Sequence, residues 1–556
     1  MSTPTACGIP GKLAKVTELI AHGDSRELRK RDKNAPPNSP DRPPILVLAF
    51  DGVGRELLYD MLHKGELPAL AALLGGEGGK FPHAYFDDRF LSTLPSSTMA
   101  AWATAMTGTP PSQHGITGNE FFIREERKLG APAPVSFHDS KPTLMIYTDS
   151  YLDGLKKAPS VYERIREKDP NVLEWVAMHQ VFSGADRLLV TKPTIIASAF
   201  EHAIVDTAKK VEGAKKPTRD AYQKLDEQVV DVVVNELEKG ALPDVLTVYL
   251  SGPDLYAHIA EEGPDDARRT YLKEVVDPAV GKLTARLRER GALDGRYVVI
   301  TADHGHTQVL YDEAHALDTV NDGDPPALIK KAGYRVREFK MDVAEKSDFD
   351  AVYCGGGATA YLYVADRSSC AKPGDVCDWS KPPRYEEDVV PLAEALFKND
   401  ADGSIVAELK GTIDLILTRR PKPFAEVDLP FEVYVGGGKT MPVDAWLKEH
   451  PHPTYVDVSA RLRDLAAGPR GERAGDIMLF AHNGDRDKPE ERYYFASLYR
   501  SWHGSPSKRD SEIPLIVANP KKTTESLRAI VLPILGDAPY QQKVTDVMLA
   551  LRFGKE

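Results

Sequence analysis

Three stretches of this chain, residues 44–51, 245–254 and 296–303, read as buried β-strands that run into an aspartate. The aspartates are Asp51, Asp254 and Asp303, and His258 and His304 follow the second and third. Carboxylate and imidazole together form a donor set for divalent metals. Asp254 and His258 are spaced i, i+4, so on one helical turn they share a face and can hold one cation. Each motif alone could be a capping residue or a turn. Three together are harder to dismiss, because a buried carboxylate with no cation nearby is expensive. The chemistry this pattern points to is metal-assisted hydrolysis.

A second signal is the hydroxyl-rich run Ser92-Thr-Leu-Pro-Ser-Ser-Thr98, which leads into the Ala- and Met-rich segment 99–106 and then Thr107-Gly108. A hydroxyl residue opens a helix here, and helix N-termini favour anions through unpaired N–H groups and the macrodipole. Ser97 or Thr98 could simply cap that helix. Either could also be a nucleophile that loses its proton to a bound metal.

The elements that must position these residues alternate in the first half of the chain, which favours an α/β fold. Residues 55–74, 219–238 and 265–290 read as helices with apolar side chains at helical spacing. In an open α/β sheet the carboxyl edge is where ligands bind, so strands that end in aspartate would gather the carboxylates on one rim. Residues 12–31 look helical and 34–44 look like a turn-rich linker. After His306 the rhythm loosens. Short strand candidates at 360–364 and 431–435 and glycine runs at 355–357 and 436–438 suggest an inserted α+β cap. The expected organisation is an N-terminal extension over 1–43, a catalytic core over 44–306, a cap over 307–474, and a return to the core over 475–556. Strands at 475–481 and 513–517 would mark that return.

With 556 residues the chain is long enough for a large domain with insertions. Its formal net charge of −12 argues against a nucleic-acid duplex or an anionic membrane as partner. It does not exclude a small anionic substrate, since bound divalent metals would reverse the local sign. No apolar run is long enough to span a bilayer, and residues 1–44 contain no continuous apolar stretch of the kind a signal peptide carries. Cys370 and Cys377 could form a local disulfide or remain free thiols. His306 reads as a support behind the ligands or as structural, His114 as part of a turn, His450-Pro-His452 as an exposed turn, and His482-Asn483-Gly484 as a hairpin turn. Lys508-Arg509 reads as a solvated pair.

The segment 98–119, with Trp102, Thr107-Gly108, His114-Gly115-Ile116 and Gly118-Asn119-Glu120, resembles the nucleophile region of the alkaline phosphatase superfamily. Within it the match is to the type I phosphodiesterase/nucleotide pyrophosphatase branch. The family pattern places a nucleophilic Thr ten residues before the Gly of a Thr-Gly pair, which lands on Thr98. Asp51, Asp254-x-x-x-His258, Asp303-His304 and His503-Gly504 occur in the family's order. Thr98 is followed by Met-Ala-Ala-Trp, where the nucleotide enzymes of the family carry Phe-Pro-Asn. No Cys/Ser-x-Pro-x-Arg element marks it as a sulfatase.

The resemblance implies an alkaline-phosphatase-like α/β core with a mostly parallel central sheet flanked by helices, plus the cap. It also implies two zinc ions, with manganese as an alternative. One would be held by Asp254, His258 and His503, the other by Asp51, Asp303 and His304 with Thr98 at its open position. The implied reaction is cleavage of a phosphodiester or phosphoanhydride, a nucleotide being one candidate substrate, through a phospho-threonine at Thr98, with Asn119 holding a phosphate oxygen. The runner-up is a phosphomonoesterase or phosphonate hydrolase on the same core. A non-catalytic relative would have lost a ligand or the nucleophile, and none is missing. By family, the location leans towards periplasmic or secreted.

Overall fold

Unbroken apolar runs such as Ile-Leu-Val-Leu-Ala-Phe form strands covered on both faces, because no polar alternation leaves a side for water. The computed structural model describes residues 25–30, 42–137, 141–192, 195–196, 218–344, 346–372, 374–420 and 431–554. In chain order its strands begin with β1 (Ser25–Glu27), β2 (Ile45–Phe50), β3 (Ala84–Asp87), β4 (Glu174–Ala177), β5 (Arg187–Leu189), β6 (Val245–Leu250) and β7 (Tyr297–Ala302). There follow β8 (Ala351–Gly356), β9 (Thr359–Val364), β10 (Ile413–Thr418), β11 (Glu432–Tyr434), β12 (Thr440–Pro442), β13 (Ile477–Ala481) and β14 (Leu515–Ala518).

The main sheet has the order β1-β5-β4-β6-β2-β7-β14-β3. Its five central strands, β5 to β7 in that order, run parallel, and the edges are antiparallel. This is the α/β class with a mostly parallel centre that the alternation of elements predicts. Every residue of β2 is fully buried, and the largest core cluster surrounds it.

The helices that serve the sheet are α1 (Arg55–His63), α2 (Pro68–Leu73), α3 (Thr98–Thr107), α4 (Arg219–Glu238), α5 (Gly252–Ala257), α6 (Pro264–Tyr271) and α7 (Asp277–Glu289). The single helix expected over 55–74 is two helices, broken where Gly65 takes a positive φ and Pro68 starts the next turn. The helix expected over 265–290 runs through a wide turn at Leu272–Val276, just before Pro278. A proline there cannot donate to the carbonyl one turn back.

A second sheet, ordered β8-β9-β13-β10-β11-β12, is antiparallel throughout. It corrects one strand assignment. The segment 475–481, expected to open the return to the core, supplies β13 at the heart of this second sheet, between β9 and β10. Its run of apolar residues is the same signal that a main-sheet strand gives, so only pairing decides between the two. The main sheet resumes at β14. A second correction concerns the N-terminal helix expected over 12–31. Ser25–Glu27 forms an edge strand on β5, while residues 1–24 and 31–41, with most of the expected linker, lie outside the described residues. Cys370 and Cys377 are joined as a disulfide.

A buried ion pair holds the segment after Asn119 to the second sheet. Arg124 is 1% exposed; its guanidinium pairs with Asp476, donates to the Val364 carbonyl at 3.0 Å, and lies over the Trp379 ring. Removing one partner strands the other charge in the interior. Arg124→Ala is expected to cost roughly 3–5 kcal/mol of stability, read as a lower denaturant midpoint by fluorescence.

Candidate metal centre

Strand register brings the carboxylates together. Phe50 lies opposite Leu250 on one side and Ala302 on the other, so Asp51 and Asp303 leave the sheet side by side. The chain turns at Gly52, whose φ is +68° and whose N–H donates to Asp303 Oδ1 at 2.9 Å. A side chain at position 52 would meet His306 Nε2 at 2.7 Å and Asp254 Cβ at 2.9 Å, so both conformation and space require glycine. The N–H of His304 also donates to Asp303 Oδ1, at 2.9 Å.

Asp254 arrives on the first turn of α5. That turn is fixed by the buried carboxylate of Asp226, which accepts from the N–H groups of Ser251 at 3.1 Å and Gly252 at 3.0 Å and from the Tyr271 hydroxyl at 3.1 Å. His258 follows one helical turn later. His503 comes from far along the chain. The two-residue strand Ser501–Trp502 pairs with Thr307–Gln308, and the Thr307–Trp502 match sets His503 beside His304, with the two rings stacked 3.5 Å apart.

The seven residues expected to bind metal therefore meet at one place. Asp254 Oδ1 lies 3.4 Å from His258 Nε2, 3.8 Å from His503 Nε2 and 3.9 Å from His304 Nε2. His304 Nε2 lies 3.3 Å from Asp303 Oδ2, 3.5 Å from Asp51 Oδ1 and 3.1 Å from Thr98 Oγ1. Thr98 is the first residue of α3, and Asn119 stands next to it, its Oδ1 accepting from the Met99 N–H at 3.0 Å. That bond turns the amide NH₂ of Asn119 into the donor left for a ligand.

The partition into two sets is only half as expected. Asp51, Asp303 and His304 form one cluster of donor atoms. Asp254 clusters with His258 and His306, and separately with His304 and His503. His306, read from sequence as a support behind the ligands or as structural, places Nε2 2.8 Å from Asp254 Oδ1. Its only sequence signal was a position two residues past His304. Tyr249, whose hydroxyl donates to Asp51 Oδ2, and Asp226 were not singled out at all. Tyr249 is marked by its place just before the end of an aspartate-bound strand, Asp226 by nothing local.

The electrostatics fit a cation. His258, His304 and His503 each set Nδ1 against a backbone carbonyl, those of Ser501 at 2.7 Å, Gly305 at 2.9 Å and Ser96 at 3.0 Å. A carbonyl only accepts, so Nδ1 carries a proton in all three, and in the neutral rings of His304 and His503 the Nε2 lone pair faces the carboxylates. Burial favours that neutral form, lowering His304 to about 3 and holding His503 well below the usual histidine range. Burial also raises Asp51, with help from the charges of Asp303 and Asp254, and pushes Asp303 up to about 7. Asp51 Oδ1 and Asp303 Oδ2 are buried without a hydrogen-bond partner. Lone pairs aimed at crowded carboxylates, with carboxylate oxygens left over, make a donor set that repels itself until a positive ion enters it.

Thr98, Asn119, Asp51, Asp254, His258 and His503 line a cleft whose walls are largely apolar, including Val135, Phe137, Leu255, Tyr499 and Trp502. Among the described residues that line it there is no lysine or arginine.

Residues 45–375 match the family model described as type I phosphodiesterase / nucleotide pyrophosphatase. Among curated proteins, the 2,3-bisphosphoglycerate-independent phosphoglycerate mutase of Nostoc punctiforme is 27% identical over 160 residues, which is 29% of this chain and 25% of the mutase. The same enzyme of Trichormus variabilis is 24% identical over the same shares. The chain thus spans a quarter of the length of these curated relatives. Among solved structures, murine ectonucleotide pyrophosphatase / phosphodiesterase 5, in an inactive form in complex with AMP, superposes with a TM-score of 0.46 at 13% identity, covering 92% of this chain and 94% of that one. The human protein gives 0.48 at 14% identity, covering 91% and 94%.

Asp303 binds its proton more tightly folded, at about 7, than unfolded, at about 3.9. Ion-free protein is therefore expected to lose stability as pH rises from about 4 to about 7, with no further loss from this group above that. Thermal melts in chelator across this range check the sign. Asp303→Asn should flatten the fall, and restoring a divalent cation should raise the melting temperature most at the alkaline end.

Proposed function

The chain belongs to the type I phosphodiesterase / nucleotide pyrophosphatase family, and on that premise we propose that it is a two-metal hydrolase that cleaves phosphodiester or phosphoanhydride bonds through a phospho-threonine at Thr98. The observation that carries this reading is the placement of the Thr98 hydroxyl, 3.1 Å from His304 Nε2, at the start of α3 and on the wall of the cleft. Asp51, Asp303 and His304 would hold one ion and Asp254, His258 and His503 the other, with His306 close enough to Asp254 to keep that carboxylate aimed. Bound there, divalent ions supply positive charge that acidifies the Thr98 hydroxyl and steadies the departing oxygen. Imidazole mixed with carboxylate suits zinc, with manganese as the alternative.

The chain's own residues account for the remaining steps. Thr98 Oγ1 attacks phosphorus in line with the leaving oxygen, forming the Thr98 O–P bond as the P–O bond to the leaving group breaks. The Asn119 amide and the N-terminus of α3 bind the non-bridging oxygens, where negative charge gathers. Water then attacks the phospho-threonine from the vacated side, releasing phosphate product and returning the hydroxyl. Tyr249 orients Asp51, and Gly52 and His304 N–H groups orient Asp303, so the carboxylates stay fixed through both steps.

The lining of the cleft favours a diester over a monoester. A phosphomonoester is nearly a dianion and calls for an additional fixed cation, whereas a diester is a monoanion with a second substituent to house. The described lining supplies an apolar slot and no lysine or arginine.

Thr98→Ala should lower turnover by roughly 10³-fold or more while metal content stays unchanged. Ser97→Ala removes a buried hydroxyl that has no partner and should leave turnover within about threefold of wild type. The reverse result would place the nucleophile at Ser97. A bis-aryl phosphodiester should be cleaved about tenfold or more faster than the matching aryl monoester; a monoester preference would overturn the diester reading.

A further inference from the structure

We propose a separate metal site in the second sheet, built from Asp414, His452, His482 and Asp485 and suited to a divalent cation of the zinc class. Asp414 lies in β10 where the register with β13 shifts between Ile413 and Leu415. Bulges of this kind re-aim a side chain. Ile413 pairs with Ala481, so His482 emerges from β13 next to Asp414. Asp485 follows in the turn after β13, and His452 comes from the segment that follows the helix Val443–Glu449. Sequence alone had read His452 and His482 as turn residues.

The donor atoms converge. His452 Nε2 is 2.8 Å from Asp414 Oδ1, His482 Nδ1 is 3.6 Å from the same oxygen, and His482 Nδ1 is 2.7 Å from Asp485 Oδ2. Donors around a tetrahedral ion at about 2.0–2.2 Å stand roughly 3.3 Å apart, so only small shifts separate this arrangement from a ligand shell. The carboxylates are deeply placed, the Asp414 and Asp485 side chains being 3% and 6% exposed.

Three of the four residues are also braced from behind, each through the atom a metal would not use. His452 Nδ1 faces the His450 carbonyl at 2.7 Å, Asp414 Oδ2 accepts from the Tyr455 hydroxyl at 2.6 Å, and Asp485 Oδ1 accepts from the Asn483 N–H at 2.7 Å. This is the outer support that fixes ligand orientation in metal sites. It leaves Asp414 Oδ1, Asp485 Oδ2 and His452 Nε2 turned to a common point. Because a carbonyl holds the Nδ1 proton of His452, a neutral ring directs its lone pair at Asp414 Oδ1, a contact that needs either a second proton or a cation between them. The donor atoms of Asp414, His452 and Asp485 cluster, with the His482 ring beside them, and imidazole in the set selects a transition cation over calcium or magnesium, which take oxygen ligands. The half-exposed Arg486 lies against Asp485 and the His482 ring on the solvent side and would swing outwards on binding.

The site adjoins a backbone link to the segment that carries His503. Residues 454–456, next to His452, bond to 506–508, with Lys508 N–H donating to Thr454 O at 2.7 Å and Val456 N–H to Pro506 O at 3.1 Å. His503 lies a few residues before that contact.

The test is metal content of the purified full-length protein by mass spectrometry after exhaustive dialysis. Wild type should hold one equivalent more than Asp414→Asn or His482→Gln. Equal metal content in a folded variant overturns the site and assigns His452 to a protonated ion pair with Asp414. Should neither variant fold, zinc-edge anomalous diffraction from zinc-soaked wild-type crystals decides. A peak bonded to His452 Nε2 and Asp414 Oδ1 supports the site, and its absence overturns it. Either result is independent of whether the main cleft acts on diesters.

Discussion

Burial of three carboxylates at one rim of the main sheet organises this protein. The central strands deliver Asp51 and Asp303 side by side at one edge of the sheet, and α5 brings Asp254 against them. Burial raises Asp51 and Asp303 above the usual carboxylate range, and each keeps an oxygen with no hydrogen-bond partner. Such a cluster costs free energy unless positive charge enters it. His304 and His503 do not supply that charge, since burial keeps both rings neutral with Nδ1 spent on backbone carbonyls. Folding stability and a capacity for cations are thus two faces of one electrostatic arrangement.

Much of the fold serves to hold that arrangement still. Glycine at position 52 lets the chain turn close under His306 and Asp254, and Asp226 grips the first turn of α5 through two backbone N–H groups. The second sheet takes part as well. Arg124 and Asp476 tie it to the segment after Asn119, and the Tyr361 hydroxyl donates to the Thr117 carbonyl at 2.7 Å. The chain reaches His503 only after crossing this sheet, and the Ala358 N–H between β8 and β9 donates to the His503 carbonyl at 2.9 Å, so the second sheet helps place the last member of the candidate site.

The candidate site was legible in good part because its residues sit at punctuation marks of the sequence. Asp51 and Asp303 follow apolar runs directly, Asp254 and His258 share a helical spacing, and Thr98 opens an Ala-rich helix. Tyr249 was not singled out, since a tyrosine in a strand carries no local mark of what it touches. Asp226 lies within the long helix α4, where an acidic residue normally faces water. Here it is fully buried under the turn that carries Asp254. The assignment of 475–481 to the main sheet failed for a related reason. An apolar run reports that a strand is covered, not which neighbours cover it.

What the sequence determined by itself was the class of the fold and the strands and helices that carry these carboxylates and imidazoles, because these follow from local patterning. Tertiary structure alone decided which donors share a point in space. Strand register set Asp51 beside Asp303, a two-residue pairing of Thr307 with Trp502 carried His503 across about two hundred residues of chain, and a bulge in β10 turned Asp414 towards His452. The reason is that register and long-range pairing depend on sums of packing contacts between distant segments, and no single segment contains the information to fix them.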